Sequence, residues 1–455
     1  MNLAGLIFLL VAHYMCGRGI LQLFKIDVSP VAKICLSLIV GVAVLSFVPC
    51  VLQLLHIPIN IWSVGFGIVV PTFLLCLPVL RQSKQEKIII QWPKVYEWPF
   101  ILFIAFVLCI SVWRCFYYPP TSRDMLTGPE LIAEYTVREH TMVNSVFTID
   151  LHTTNNYFKS PYVTGLQIIY KLLVCTFGQL WLSVLVVSFV AWLYTILRSL
   201  VHPIIAGMLV LFFVAIPDLF GYTYLILYDY SNMVFFFGGY YFLTRYFADN
   251  RINNFIFSAF LFGLATYIRT ETVVLVAMLL PLPAWHFYKQ RLPFAKAIAR
   301  LGLYLSVSVA FYVLCIDVFI RAFIPIPFGV MSQINPDIRH VSLLFTRFYD
   351  INTQLLFSDY TLPVYGWFIY FFMALVVADV IWPRKYNKDA LTALYGVMII
   401  YAGLAFLGYV LPLIDILNTT KRGFFKMFPI MLMYMGNSGI FLWLSAKIRQ
   451  LTNNA

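Results

Sequence analysis

Charge is scarce in this chain. Of 455 residues only 11% are charged and just 19 are Asp or Glu, against about a quarter charged in a soluble domain. A water-soluble fold of this length would lack the polar surface to clothe it. Cysteine is sparse too, and unpatterned. Cys16, Cys35, Cys50, Cys76, Cys109, Cys115, Cys175 and Cys315 lie in or beside apolar stretches, with no C-x-x-C pair among them. That argues against a zinc site or a disulfide framework and makes them small core hydrophobes. The first apolar stretch lacks a basic start and a small-residue cleavage site, so it reads as a retained span. Internal repeats, low-complexity tracts, a phosphate-binding P-loop and a soluble domain are all missing.

What fills the chain is apolar. Hydrophobic residues make up 62% and aromatics 18%, and runs near the bilayer-crossing length of about 20 residues recur from end to end. The expected fold is all-α, a polytopic transmembrane protein of about 13 spans. The expected spans are Leu3–Leu23, Val31–Leu55, Ile61–Leu80, Phe100–Phe116, Leu180–Leu197, Ile204–Ile216, Tyr224–Leu243, Phe255–Tyr267, Val273–Trp285, Leu301–Ile320, Val364–Ile381, Leu391–Val410 and Met427–Leu444.

One further apolar segment, Pro161–Phe177, decides the topology. Basic loops stay cytoplasmic, and the strongest are Arg81–Lys94, Lys289–Arg300, Arg384–Lys388 and Lys447–Arg449. They share one side only if Pro161–Phe177 is an interfacial or re-entrant helix rather than a full span. Roughly nineteen of the 31 Lys and Arg then lie inside. Lys171 in its middle also disfavours a crossing. The net charge of +12 follows from these loops and from anionic headgroups rather than from nucleic acid.

The long polar connections, 117–160, 321–362 and 415–426, then face outward, so chemistry is expected there. The first carries Asp124, Glu130, Glu134, Glu139 and Asp150. Asp124 follows closely on a rigid span and could deprotonate an acceptor hydroxyl or amine; the plainer alternative is that these acids solvate a loop. Asp218 and Asp229 flank the next outer turn, with Tyr228 beside the latter. An acid in so apolar a run needs a polar cavity or a partner, unless it caps a helix. Arg269 and Glu271 interrupt two apolar helices, and a guanidinium there suits a phosphate or a structural pair with Glu271. Lys421, Arg422 and Lys426 concentrate positive charge outside, against the usual bias, which favours an anionic ligand or simple headgroup contact. Lys159 is a further possible phosphate contact.

In their order these features resemble the GT-C superfamily of membrane glycosyltransferases, in its protein-mannosyltransferase and aminoarabinose-transferase branch. A span leads into an outer loop with an early acid, Arg123-Asp124-Met125-Leu126-Thr127. Lys159-Ser160-Pro161-Tyr162, Leu166 and Phe177-Gly178 are similar to the family's Pro-Pro-Leu…Phe-Gly segment. Ile216-Pro217 precedes Asp229, Gly263-Leu264-Ala265 precedes Arg269, and Lys421-Arg422-Gly423-Phe424-Phe425 precedes Met427-Phe428-Pro429. Gly128-Pro129-Glu130 stands where relatives often carry an aromatic and a His, and three spans precede the module.

The resemblance implies N-terminal helices over 1–98, a catalytic module over 99–320 with outer loop 117–160, and an outer loop with C-terminal helices over 321–455. It implies an inverting transfer of sugar from a polyprenyl-phosphate carrier to a lipid, glycan or protein acceptor, outside a bacterial inner membrane. Asp124 would be the base, with Asp229 and Glu130 as further catalytic acids. Arg269, Lys159, Arg422 and Lys421 would bind the donor phosphate, supported by Glu271, Asp218 and Tyr228. No cofactor or metal is expected, although in some relatives the acid matching Asp229 holds a divalent cation. Two other readings compete. A repeat-unit polymerase or O-antigen-ligase-like enzyme would rest on Arg339, His340 and Arg347. A transporter or flippase would favour two repeated halves, which this sequence does not contain.

Overall fold

Every one of the thirteen apolar stretches folds as helix, and several break where the sequence reads as continuous. The computed structural model describes residues 2–81, 92–120, 123–148, 160–175, 179–323, 340–382, 387–411 and 415–453; Lys159, Asp150 and Arg339 lie outside the described residues. Among the described residues the secondary structure is entirely helical. Many helix starts are written in the sequence. Ser29 accepts from Ala32 N ahead of Pro30, and Asn387 accepts from Asp389 N, which satisfies orphan first-turn amides.

Among the described residues eight helices are long and apolar enough to cross a membrane, and a bent pair, Ile416–Asn437 with Gly439–Leu451, makes a ninth if it counts as one span. The expected thirteen crossings are therefore not all of membrane length. Pro203–Val214, Ile252–Ile268 and Phe368–Ile381 are apolar but shorter. The Tyr228–Asp249 helix has length enough but carries Asp229, Ser231, Asn232, Thr244, Arg245 and five tyrosines, which lower its hydropathy. It is buried almost throughout and packs on Ile252–Ile268.

The N-terminal helices pack tightly on one another. A Cβ added at Gly17 would stand 1.8 Å from the Ser37 carbonyl oxygen, and one at Gly41 equally close to that of His13. Only glycine allows Leu3–Leu23 and Pro30–Leu45 to approach so closely.

Pro161–Phe177 yields the helix Tyr162–Leu173, of 12 residues. At 1.5 Å per residue it is about 18 Å long, short of the roughly 30 Å hydrocarbon core. Ten of its residues are buried, so it is enclosed by protein rather than laid on a surface. It packs on the Pro129–Glu139 helix and on the second, third and fourth helices of the chain. Its Lys171 is neutralised by Glu130 at 2.5 Å and Glu134 at 3.0 Å.

Polar networks collect at the two ends of the bundle. At one end the wholly buried Glu97 takes Arg198 at 2.9 Å and the Tyr194 hydroxyl at 2.7 Å. At the other end stand the residues from the connections expected to face outward.

Candidate functional site: a charged cluster at one end of the bundle

Four separate connections converge here. Ile252–Ile268 ends on Arg269, whose extended backbone turns the chain before Thr272–Leu279 begins. Asn232 fixes this break: its amide donates to the Ala265 carbonyl at 2.7 Å and to the Thr272 hydroxyl at 3.0 Å. Asp229 stands three residues earlier on the same helix, hence on the same face. The Asn232 contacts therefore hold Arg269 opposite Asp229, and the two are ion-paired.

Asp229 is not a helix cap. Tyr228–Asp249 starts after Leu227 without a side-chain cap, and Asp229 lies in its first turn. Its carboxylate is only 2% exposed and also faces Arg422 at 3.7 Å. The second edge of Arg269 meets Glu271 at 2.5 Å. Burial alone would lower the Arg269 pKa, but the Asp229 and Glu271 carboxylates outweigh it and raise the value. For Glu271, burial pushes upward and is outweighed by Arg269 and Lys426, leaving the carboxyl below its ordinary value.

Asp124 reaches the same cluster from the connection 117–160. Arg422 Nη1 is 3.9 Å from its carboxylate, which is 47% exposed. The short helix Arg123–Leu126 is anchored by the buried Met125. The following helix, Pro129–Glu139, ends on His140 in the left-handed region at φ 61°. His140 pairs with the Ile59 backbone, while Gln53 accepts from Thr141 and from Met142 N. The turn joining Val48–Leu54 to Ile61–Arg81 thus pins the loop that carries Asp124.

The remaining expected residues sort into partnered roles. Lys421 pairs with Asp218 at 3.4 Å; burial raises the Asp218 pKa more than Lys421 lowers it. Tyr228 donates to the Ser160 carbonyl at 3.1 Å, at the entry to Tyr162–Leu173. Glu130 stands in another network, receiving Lys171 and, at 2.7 Å, the Gln167 amide, whose oxygen accepts from Trp181 at 2.6 Å. Burial still holds its carboxyl above the ordinary value. Of the late-loop residues, His340 is exposed, whereas Arg347 donates to Thr420 at 2.9 Å beside the basic stretch.

Two participants, Asn232 and Tyr222, were not singled out from sequence, and a third, Lys426, was read only as part of the basic run 421–426. Asn232 positions the break, as above. The Tyr222 ring lies edge-on to Phe425 at 4.9 Å, and its phenol feels Asp229, Arg422 and Asp218. Lys426 is 3% exposed and interacts electrostatically with Arg269, Glu271 and Asp229.

Asp229, which the resemblance offers as a cation ligand, already lies between two guanidiniums. Among the described residues no three His, Cys, Asp or Glu side chains converge as a metal needs, so this donor set does not fit a divalent ion. No family model, curated protein or solved structure matches this chain. The site must speak through its own chemistry. It offers a half-exposed carboxylate, Asp124, beside guanidiniums that share the buried Asp229: a proton acceptor next to a place for developing negative charge.

Proposed function

We propose that this protein is an inverting glycosyltransferase using a polyprenyl-phosphate sugar, with its site on the non-cytoplasmic face of a bacterial inner membrane. The observation that carries the reading is the position of Arg422, between the half-exposed Asp124 and the buried Asp229. Asp124 takes the proton of the acceptor nucleophile. The nucleophile attacks the anomeric carbon from the face opposite the carrier, and the bond to the phosphate oxygen breaks. The phosphate leaves as an anion, and nearby positive charge lowers the energy of that step.

The two aspartates divide the labour by exposure. Asp229, enclosed by Arg269 and Arg422, orients those guanidiniums. Asp124 meets solvent and so can meet an acceptor. Glu130, engaged by Lys171 and Gln167, positions the loop instead of touching substrate. In this reading the short apolar helices and Tyr228–Asp249 also traverse the bilayer, giving thirteen crossings and one outer face for all four connections. A lateral opening would admit the carrier from lipid.

The test is transfer by purified protein in lipid nanodiscs, supplied with lipid-linked sugars extracted from the source cells. Asp124→Asn is expected to abolish transfer, and its normal turnover would remove the base.

A further inference from the structure

The connection 321–362 reads in sequence as a polar stretch facing water, yet much of it runs down the side of a membrane-length helix. Ser342–Ile351 continues into π geometry over Asn352–Leu356, and its first part packs on Lys388–Val410. Two contacts fix the direction. Arg347 crosses Gly408 so closely that a Cβ there would clash, and it donates to Thr420 at 2.9 Å. Further on, the Asn352 amide donates to the Tyr401 hydroxyl at 2.9 Å, and the Phe348 ring lies 5.5 Å from that of Tyr401. The segment therefore descends beside Lys388–Val410 and antiparallel to it. From Val410 back to Tyr401 is about 14 Å of helix, close to half of the roughly 30 Å hydrocarbon core.

The lower end of this segment is finished as a helix end must be away from water. Phe357 N donates to the Asn352 carbonyl at 2.8 Å, the Ser358 hydroxyl to Gln354 at 2.8 Å, Thr361 to Leu355 at 2.8 Å and Tyr370 to Leu356 at 3.0 Å. In water the last carbonyls of a helix find solvent; in hydrocarbon they need partners within the protein. Thr346 and Thr353 turn their hydroxyls back onto the Ser342 and Tyr349 carbonyls, which hides their polarity. Arg347 is drawn inward to Thr420, and Asp350 attracts it. What remains outward is chiefly aromatic: Phe345, Tyr349 and Phe357 are 69%, 67% and 63% exposed. The neighbouring span exposes an apolar stripe of its own at Leu391, Met398 and Phe406, the face that a crossing helix turns to lipid.

We infer that the segment 342–356 is a re-entrant leg, seated in the membrane leaflet at the charged-cluster end, whose aromatic face is covered by lipid acyl chains. Depth selects lipid over another protein as the occupant: the leg's end lies level with the middle of a membrane-crossing helix, and its carbonyls are closed off from solvent. The inference goes beyond the transferase reading and holds for any activity of the cluster.

The experiment uses the full-length protein in lipid nanodiscs. With the exposed Cys109 replaced by Ser, nitroxide labels are placed one at a time through Phe345→Cys, Tyr349→Cys and Phe357→Cys. Collisions with oxygen, which partitions into lipid, are compared with those of a water-soluble nickel complex. Oxygen should dominate at Tyr349 and Phe357, and the ratio should rise from Phe345 to Phe357. A nickel-dominated signal at Phe357 would make the segment a water-facing loop; a label reached by neither reagent would mean a second copy or a protein partner covers it. Either result overturns the inference. Hydroxyl-radical footprinting of the unlabelled wild type gives the same reading without substitutions. Tyr349 and Phe357 should be protected while the exposed His340 is oxidised, and oxidation of Phe357 as strong as that of His340 would again overturn it.

Discussion

Arg422 lies 3.7 Å from the buried carboxylate of Asp229 and thereby ties the start of the last bent helix pair, in Ile416–Asn437, to the first turn of Tyr228–Asp249. Asp229 also holds Arg269, so one acid orders two arginines. Its removal leaves Arg269 with Glu271 alone and Arg422 with only the half-exposed Asp124 at 3.9 Å.

Asp229→Asn should therefore cost stability as well as activity, by about 3–5 kcal/mol, as for other buried pairs broken on one side. Thermal unfolding in detergent measures this. Asp124→Asn, half exposed and at the margin of ion-pair distance, should shift stability by less than about 1 kcal/mol. A similar Tm for the two variants would contradict the division of roles.

Acid should expose the contribution of Glu271. Its folded pKa lies below the ordinary 4.5 because Arg269 and Lys426 outweigh burial. A depressed carboxyl contributes stability that is present above the unfolded value and lost as pH falls through the folded one. Glu271→Gln should then unfold at lower temperature than wild type at pH 7. The gap should close progressively below about pH 4.5. A gap independent of pH would show that the carboxylate charge is not what matters.

Lys171 neutralises Glu130 and Glu134 inside the shell around Tyr162–Leu173. Lys171→Met should loosen the Pro129–Glu139 helix and speed its cleavage in limited proteolysis. It should lower transfer only indirectly, with Glu130→Gln retaining far more activity than Asp124→Asn. Equal losses in the two acid variants would return Glu130 to the chemistry.

Arg422→Gln should raise donor KM, and by removing the bridge it should also release Asp124 from the cluster. The loss in kcat/KM should be about 10- to 100-fold, the range for a charged hydrogen bond. An unchanged KM would place the donor phosphate elsewhere.

Much of the architecture could be read directly from residue order. Apolar length and capping residues such as Ser29 and Asn387 mark helices well, because local chemistry sets those boundaries. Breaks were harder to see: the Leu301–Ile320 stretch changes to π geometry at Leu314, and Val273–Trp285 breaks at Leu280. Neither break follows from apolar periodicity alone. The meeting of Asp124, Asp229, Arg269 and Arg422 follows the expectation that their connections share one end of the bundle. Which charge meets which was not legible. Lys421 and Arg422 are neighbours in sequence, yet one turns to Asp218 and the other to Asp229. Enclosure of Tyr162–Leu173 was equally hidden, because its apolar face and its Lys171 fit an interfacial helix until the partner acids are in place.

The central claim is that this outer cluster moves a sugar off a lipid phosphate. Mass spectrometry of lipid-linked sugars and surface glycans in cells lacking the protein tests it most directly, with wild-type and Asp124→Asn genes returned. The account predicts that one polyprenyl-phosphate sugar accumulates while its acceptor loses that sugar, and that only the wild type restores both. Unchanged pools in the deletion cells, or full restoration by Asp124→Asn, would contradict it.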